Sequence, residues 1–298
     1  MSIRDLQDTC FFRYRRVNEN TLKEIELGQI WHSRYEFLND PFEFPFFYDE
    51  NAFLRSDLDE FFSIHLPLNS HYLEDMREQG LEESVYKQFK YWIQQNMEKV
   101  FEYQRNACVA CFSGNPYDGL MWSHYAYELK GICIAYNKDK LKTKEHFKNI
   151  TPINYTKDVG LVSFRDLIIK APKQDITPWP EYLIKGHIFL PQTPTTGFPL
   201  ELVLNTQDFR HAMQKHERWS YEDESRNVVF QDQGERNKAG IALETGNDVI
   251  DAIIIGEKAT IEDLNKMTSF TRERKIPLFV ARANKRTYQV EIDLFSNS

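Results

Sequence analysis

The chain lacks most of the features that would place it at once. Four cysteines in 298 residues (Cys10, Cys108, Cys111 and Cys133) are too few for a disulfide scaffold. Apolar runs are short: the longest, 249–255, is broken by Asp251 and falls far below the roughly 20 residues that span a bilayer. Positive charge is in deficit, with 37 Lys and Arg against 45 Asp and Glu, a net charge of −8. Generic attraction to nucleic-acid phosphates or anionic lipid is therefore not expected, and the region of 272–275 and 285–286 is the candidate for a local basic patch. The opening MSIRDLQDTC has no apolar core of a secretory signal, which predicts a cytoplasmic protein. Neither GxGxxG nor GxxxxGK[ST] occurs, so a Rossmann or P-loop nucleotide site is not indicated, and no GxSxG elbow supports a Ser-His-Asp hydrolase.

What the chain does have is aromatic residues, 22 Phe, 15 Tyr and 5 Trp, ample for a substantial core. Residues 10–17 alternate and read as a strand. Asn20 or Thr21 is expected to cap a short helix that Gly28 ends, and 29–33 forms a second strand. Between about 54 and 105 the apolar spacing is helical, including Val85, Phe89, Trp92, Ile93, Met97, Val100 and Phe101. Strands are predicted at 107–112, 132–136, 151–155, 218–230, 249–256, 278–281 and 287–294. Helices are predicted at 120–129 and 206–217, and from Thr260, whose capping box with Asp263 opens a helix to about 274. The proline-rich stretch 172–199 reads as loop. The expected architecture is a single α+β domain over 1–298, with a mainly antiparallel sheet, flanking helices and a helical insertion near 50–105.

Three motifs carry polar side chains in suggestive groups. In LNDPFE (38–43), Asn39, Asp40 and Glu43 would present an amide and carboxylates from a rigid turn, or serve only as an Asx-turn anchored by Phe42. In CFS (111–113) and MWSHYA (121–126), Ser113 could hold a ligand hydroxyl and His124 could act as donor or general base, with Trp122 and Tyr125 as i,i+3 neighbours; the alternative is ordinary core packing. In WSYEDESR (219–226), strand periodicity puts Glu222 and Glu224 on one face about 7 Å apart. Two carboxylates so close require solvent, a raised pKa, or a cation such as Arg226 or Lys215. Such a pair could accept a proton or stabilise a cation, or could form structural ion pairs. Cys108 and Cys111, three apart on a strand, point to opposite faces and suit no zinc site; no metal is expected.

Taken in order with GICIAY (131–136), these motifs resemble a bacterial family described only as a domain of unknown function, over about Phe12 to Gly256. More distantly the chain resembles the ADP-ribosyltransferase superfamily, compact α+β enzymes that grip NAD without a Rossmann motif. The counterparts in order are Arg13 or Arg15, then Ser113 or Tyr125, then Glu222 or Glu224; the Ser-Thr-Ser strand of those enzymes has no clear match. This resemblance implies an NAD-consuming transferase or glycohydrolase of toxin or phage-defence type. Glu222 or Glu224 would stabilise the ribose cation, Arg15 would hold pyrophosphate, and Tyr14, Tyr125 or Trp122 would stack on a ring. Two other readings stand beside it. One is a metal-dependent hydrolase or nuclease built from Asp40, Glu43, His124, Glu222 and Glu224. The other is a non-enzymatic module whose aromatic residues contact a protein partner or a second copy of the chain.

Overall fold

The structure, a computed structural model, describes residues 3–43, 47–48, 106–158, 161–162, 167–170, 201–204, 212–231 and 238–296, with scattered positions between 56 and 91. The chain divides into two compact units, one of residues 1–43, 106–159 and 213–298, the other of 44–105 and 160–212. Most of the expected helical insertion and all of the proline-rich loop at 172–199 lie outside the described residues.

The first unit opens with helix α1 (Ile3–Gln7), strand β1 (Cys10–Arg15), helix α2 (Glu19–Glu26) and strand β2 (Gln29–Arg34). Asn18, rather than Asn20 or Thr21, caps α2: its side chain accepts from the Thr21 backbone N–H. In the second unit, β3 (Phe47–Tyr48) pairs in parallel with β8 (Leu161–Val162), and β9 (Leu167–Lys170) pairs antiparallel with β10 (Glu201–Leu204). Returning to the first unit, β4 (Ala107–Ser113), helix α3 (Gly119–His124), β5 (Ile132–Asn137), helix α4 (Lys138–Lys142), β6 (Ile150–Pro152) and β7 (Asn154–Thr156) follow. After them come β11 (Gln214–His216), a 3-10 helix (Glu217–Glu222), β12 (Glu224–Phe230), β13 (Gly240–Glu244) and β14 (Ile250–Gly256). Helix α5 (Ile261–Arg274), β15 (Leu278–Asn284) and β16 (Gln289–Leu294) close the chain.

Ten strands form one sheet in the order β13-β2-β4-β1-β5-β14-β15-β16, with β12 and β6 joined along the other side of β4. All its pairs are antiparallel except β14 with β15, which α5 connects. The protein is therefore α+β with a mainly antiparallel sheet. The central strands are buried on both faces. Ile132, Ile134, Ile253 and Ile255 pack on one side with Met267 and Phe270, while Cys133, Ala135, Ala252 and Ile254 pack on the other with Phe12 and Trp122. That two-sided burial explains why β14 is a continuous apolar run rather than an alternating one.

Three local expectations change. Thr151–Tyr155 is two short strands in different sheets, because β6 joins β12 while β7 joins β11 in parallel. The helix expected at 120–129 stops at His124; Tyr127, Glu128 and Leu129 all take left-handed backbone, φ 49°, 58° and 66°. That costs roughly 1–2 kcal/mol per residue, offset here by hydrogen bonds from Glu128, Leu129 and Gly131 N–H back to Ser123, Trp122 and Ala126. The third concerns 206–230. Residues 214–216 are strand rather than helix, and the long strand starts only at Glu224, after Asp223 turns the chain at φ 44°.

Candidate functional site

β1 meets β4 at a single pair, Phe12 opposite Ser113. A cleft opens beside that point, lined by Arg13 and Arg15 from β1, Ser33 from β2, and Val109, Cys111 and Ser113 from β4. This cavity, of about 230 Å³ and called the inner chamber for the buried cluster it holds, adjoins a second of about 620 Å³, called the outer chamber, and the two share Tyr14, Arg15, Ser33 and Tyr125 as walls. All these residues belong to the first unit.

The inner chamber ends on a buried charge cluster. β12 pairs with β4 so that Glu224 faces Ser113 and Arg226 faces Cys111. Gly114 ties the end of β4 to the turn before β12, its N–H donating to Asp223 O at 2.9 Å. β11 supplies Lys215, the 3-10 helix supplies Glu222, and the turn after Asn39 supplies Glu43. Lys215 Nζ donates to Glu222 Oε2 at 2.6 Å and Glu224 Oε2 at 3.1 Å, and pairs with Glu43 Oε1 at 3.3 Å. Arg226 pairs with Glu224 Oε1 at 2.7 Å and Glu43 Oε1 at 2.6 Å. Trp219 covers the ammonium, its ring 4.8 Å from Nζ.

Three carboxylates against two cations leave one negative charge in excess, and the cluster distributes it unevenly. Burial alone would raise the Glu224 pKa, but Arg226 and Lys215 overcome it and hold the group at about 2. Glu222 moves the other way: burial raises it, Lys215 opposes, and the neighbouring Glu224 charge adds to the rise. Lys215 is held above the ordinary lysine value despite burial, by Glu224, Glu43 and Glu222. Of Glu222 and Glu224, Glu222 is thus the carboxyl more ready to carry a proton. Its Oε1 accepts from the Tyr125 hydroxyl, which in turn accepts from Asn39 Nδ2 at 2.6 Å. Burial, then Glu222, pushes the Tyr125 phenol up, so it stays a donor.

The outer chamber is richer in cations than in carboxylates. Arg15, Arg16 and Lys23 line it with the lone carboxylate Glu24, and Trp31, Tyr14, Tyr125, Asn18, Asn20 and Thr21 complete the wall. Glu24 is buried between Arg13 Nη1, at 2.7 Å, and Arg15 Nη2. Two arginines on one carboxylate depress its pKa against burial. Arg15 Nε is buried with no hydrogen-bond partner among the described residues.

The stretches near 40, 124 and 222 therefore converge, as Asn39, Glu43, Tyr125, Glu222 and Glu224 show, but several expected roles do not survive. Trp122 is wholly buried, its Nε1 donating to Pro116 O at 2.8 Å and its ring edge-on to Tyr14, so it has no face for a ligand. Arg13 is spent on Glu24 and on Trp31 O, while Arg15 shares Glu24 and lines both chambers, which makes Arg15 the better placed of the two to meet an anion. His124 is exposed; it lines the outer chamber and its Nδ1 lies 3.2 Å from Tyr221 OH, apart from the carboxylates. Asp40 forms an Asx-turn, accepting Phe42 N–H at 3.0 Å, and lines neither chamber. Ser113 lines the inner chamber while its hydroxyl closes a local turn with Asn115 N and O. Tyr14 borders both chambers with its hydroxyl donated to Asn115 O. Glu222 and Glu224 are not neighbours on an exposed strand face, since a turn separates them and both are buried.

A metal site from Asp40, Glu43, His124, Glu222 and Glu224 is not assembled, and no group of three or more such ligands is placed to hold a metal ion among the described residues. Lys215 and Arg226 occupy the positions between the carboxylates. No helix among the described residues is long and apolar enough to cross a membrane. Sequence reasoning missed Glu24, Arg16, Lys23, Trp31 and Trp219. Only Trp219, inside WSYEDESR, lay in a recognisable motif.

Neither curated proteins nor solved structures yield a match to the chain. The segment 121–227, narrower than the span over which the motifs extend but carrying Tyr125, Lys215, Glu222, Glu224 and Arg226, matches the family described as Protein of unknown function (DUF2971).

Proposed function

We propose that the cleft binds NAD and that Glu222 serves the breaking of its nicotinamide–ribose bond, releasing nicotinamide and passing ADP-ribose to water or to an acceptor. The observation that carries this reading is the placement of Glu222, a buried carboxyl of raised pKa joined through Tyr125 to the wall shared by both chambers. A ligand with a cationic ring and a diphosphate matches the cleft's polarity. The pyridinium meets the carboxylates Glu43 and Glu222 at the cluster end of the inner chamber, and the diphosphate meets Arg15, Arg16 and Lys23.

The chemistry follows from charge. The C1′–N bond breaks with its electron pair going to the pyridinium nitrogen, which leaves neutral, while positive charge moves onto the ribose. A preorganised carboxylate stabilises that charge in a site shielded from water. The arriving cation itself favours the ionised form of Glu222, so the ligand sets the protonation state its reaction needs. The incoming nucleophile loses its proton to Glu222 as it bonds to C1′.

Incubation with NAD and chromatographic detection of nicotinamide tests the proposal. Release is expected from the native chain and is reduced at least 100-fold in Glu222→Gln. Absence of release together with no NAD-dependent rise in melting temperature contradicts it.

A further inference from the structure

Glu43 is peculiar within its cluster. Its side chain is 3% exposed, and Oε1 takes both cations, Arg226 Nη2 at 2.6 Å and Lys215 Nζ at 3.3 Å. Oε2 is buried with no hydrogen-bond partner among the described residues. An acceptor left unsatisfied in the interior costs on the order of 1–3 kcal/mol, and more where it carries charge. Glu43 lines the inner chamber together with Lys215, Glu222 and Glu224. The cations in the cluster are already shared among three carboxylates, so the donor that Oε2 lacks is one a ligand can bring.

We propose that Glu43 is the specificity-determining residue of the inner chamber, selecting a ligand whose inner end donates hydrogen bonds and carries no negative charge. This rests on the preceding reading, and for NAD it assigns Glu43 to the carboxamide of the nicotinamide ring. The amide N–H₂ satisfies Oε2, while a ring carboxylate at the same place meets the cluster's excess negative charge and offers it no donor. A buried acceptor rejects a ligand lacking the donor more strongly than an apolar pocket rejects an extra group, because both partners end unpaired.

The test uses three ligands on the full chain, measured by isothermal titration calorimetry: ADP-ribose, the carba analogue of NAD, and the carba analogue with a carboxylate in place of the carboxamide. The carba sugar prevents release of the ring during titration. The native chain is expected to bind the amide at least 10-fold more tightly than the acid. In Glu43→Gln, which keeps an oxygen for Arg226, that ratio falls below about threefold while ADP-ribose affinity stays within twofold. ADP-ribose binding without amide–acid discrimination in the native chain overturns the role of Glu43 and leaves the cleft reading intact. Discrimination that persists unchanged in Glu43→Gln also overturns it. Failure of all three ligands to bind overturns both.

Discussion

The Arg13–Glu24–Arg15 group and the Glu43–Lys215–Glu222–Glu224–Arg226 group are buried ion networks lining one cleft, and they err in opposite directions. The first has one cation more than it can pair, and the surplus shows as an unsatisfied Arg15 Nε. The second has one anion too many, and the surplus shows as a raised Glu222 and an unsatisfied Glu43 Oε2. A network built only to hold a fold is expected to balance its charge, since uncompensated buried charge costs several kcal/mol. The two imbalances have opposite sign and meet at one cleft, where Arg13 and Arg15 share the inner lining with Lys215, Glu43, Glu222 and Glu224.

The comparison breaks most visibly if one cation is removed from each side. Arg226 is wholly buried, and Arg226→Met leaves Glu224 and Glu43 with Lys215 alone; a loss of about 3–5 kcal/mol in denaturant unfolding is expected. Arg15→Met removes a side chain that is a quarter exposed and in excess, so the expected loss is about 1 kcal/mol or less. Equal losses would mean the two networks are not opposite in kind.

A smaller contrast separates the two glutamates. Glu224, held at about 2, contributes stability that is fully present above its unfolded pKa and is lost as pH falls toward 2. Glu224→Gln is therefore expected to cost about 3 kcal/mol at neutral pH. Glu222 has the opposite sign: its folded pKa is raised, so its contribution declines as pH rises through the unfolded value toward the folded one. Glu222→Gln is expected to change neutral-pH stability by less than about 1 kcal/mol, or to increase it. Thermal and urea unfolding of the two variants from pH 3 to 8 reads both signs.

These networks were only half legible in the sequence. WSYEDESR announced a carboxylate pair needing Lys215 or Arg226, because strand spacing and mutual repulsion are local facts. It did not reveal that Asp223 would turn the backbone and that Arg226, paired with Glu224, would divide the two pKa values. Glu24 left no trace, being one acidic residue among several on a short helix whose burial depends on β1 and β2. The helix ending at His124 was overextended because Met121, Trp122, Tyr125 and Leu129 keep helical spacing while the chain from Tyr127 turns left-handed. Trp122 looked like a ligand platform for a related reason: its neighbours on the far side, Tyr14 and Pro116 among them, are set by tertiary packing. The capping box at Thr260 and the apolar run of β14 were readable because both are local.

Carboxyl ¹³C resonances of Glu222 and Glu224, followed by NMR across a pH titration with selectively labelled glutamate, test the central asymmetry most directly. The account predicts that they part, Glu224 titrating near 2 and Glu222 above an ordinary glutamate. Two carboxyls titrating together near 4.5 would contradict it.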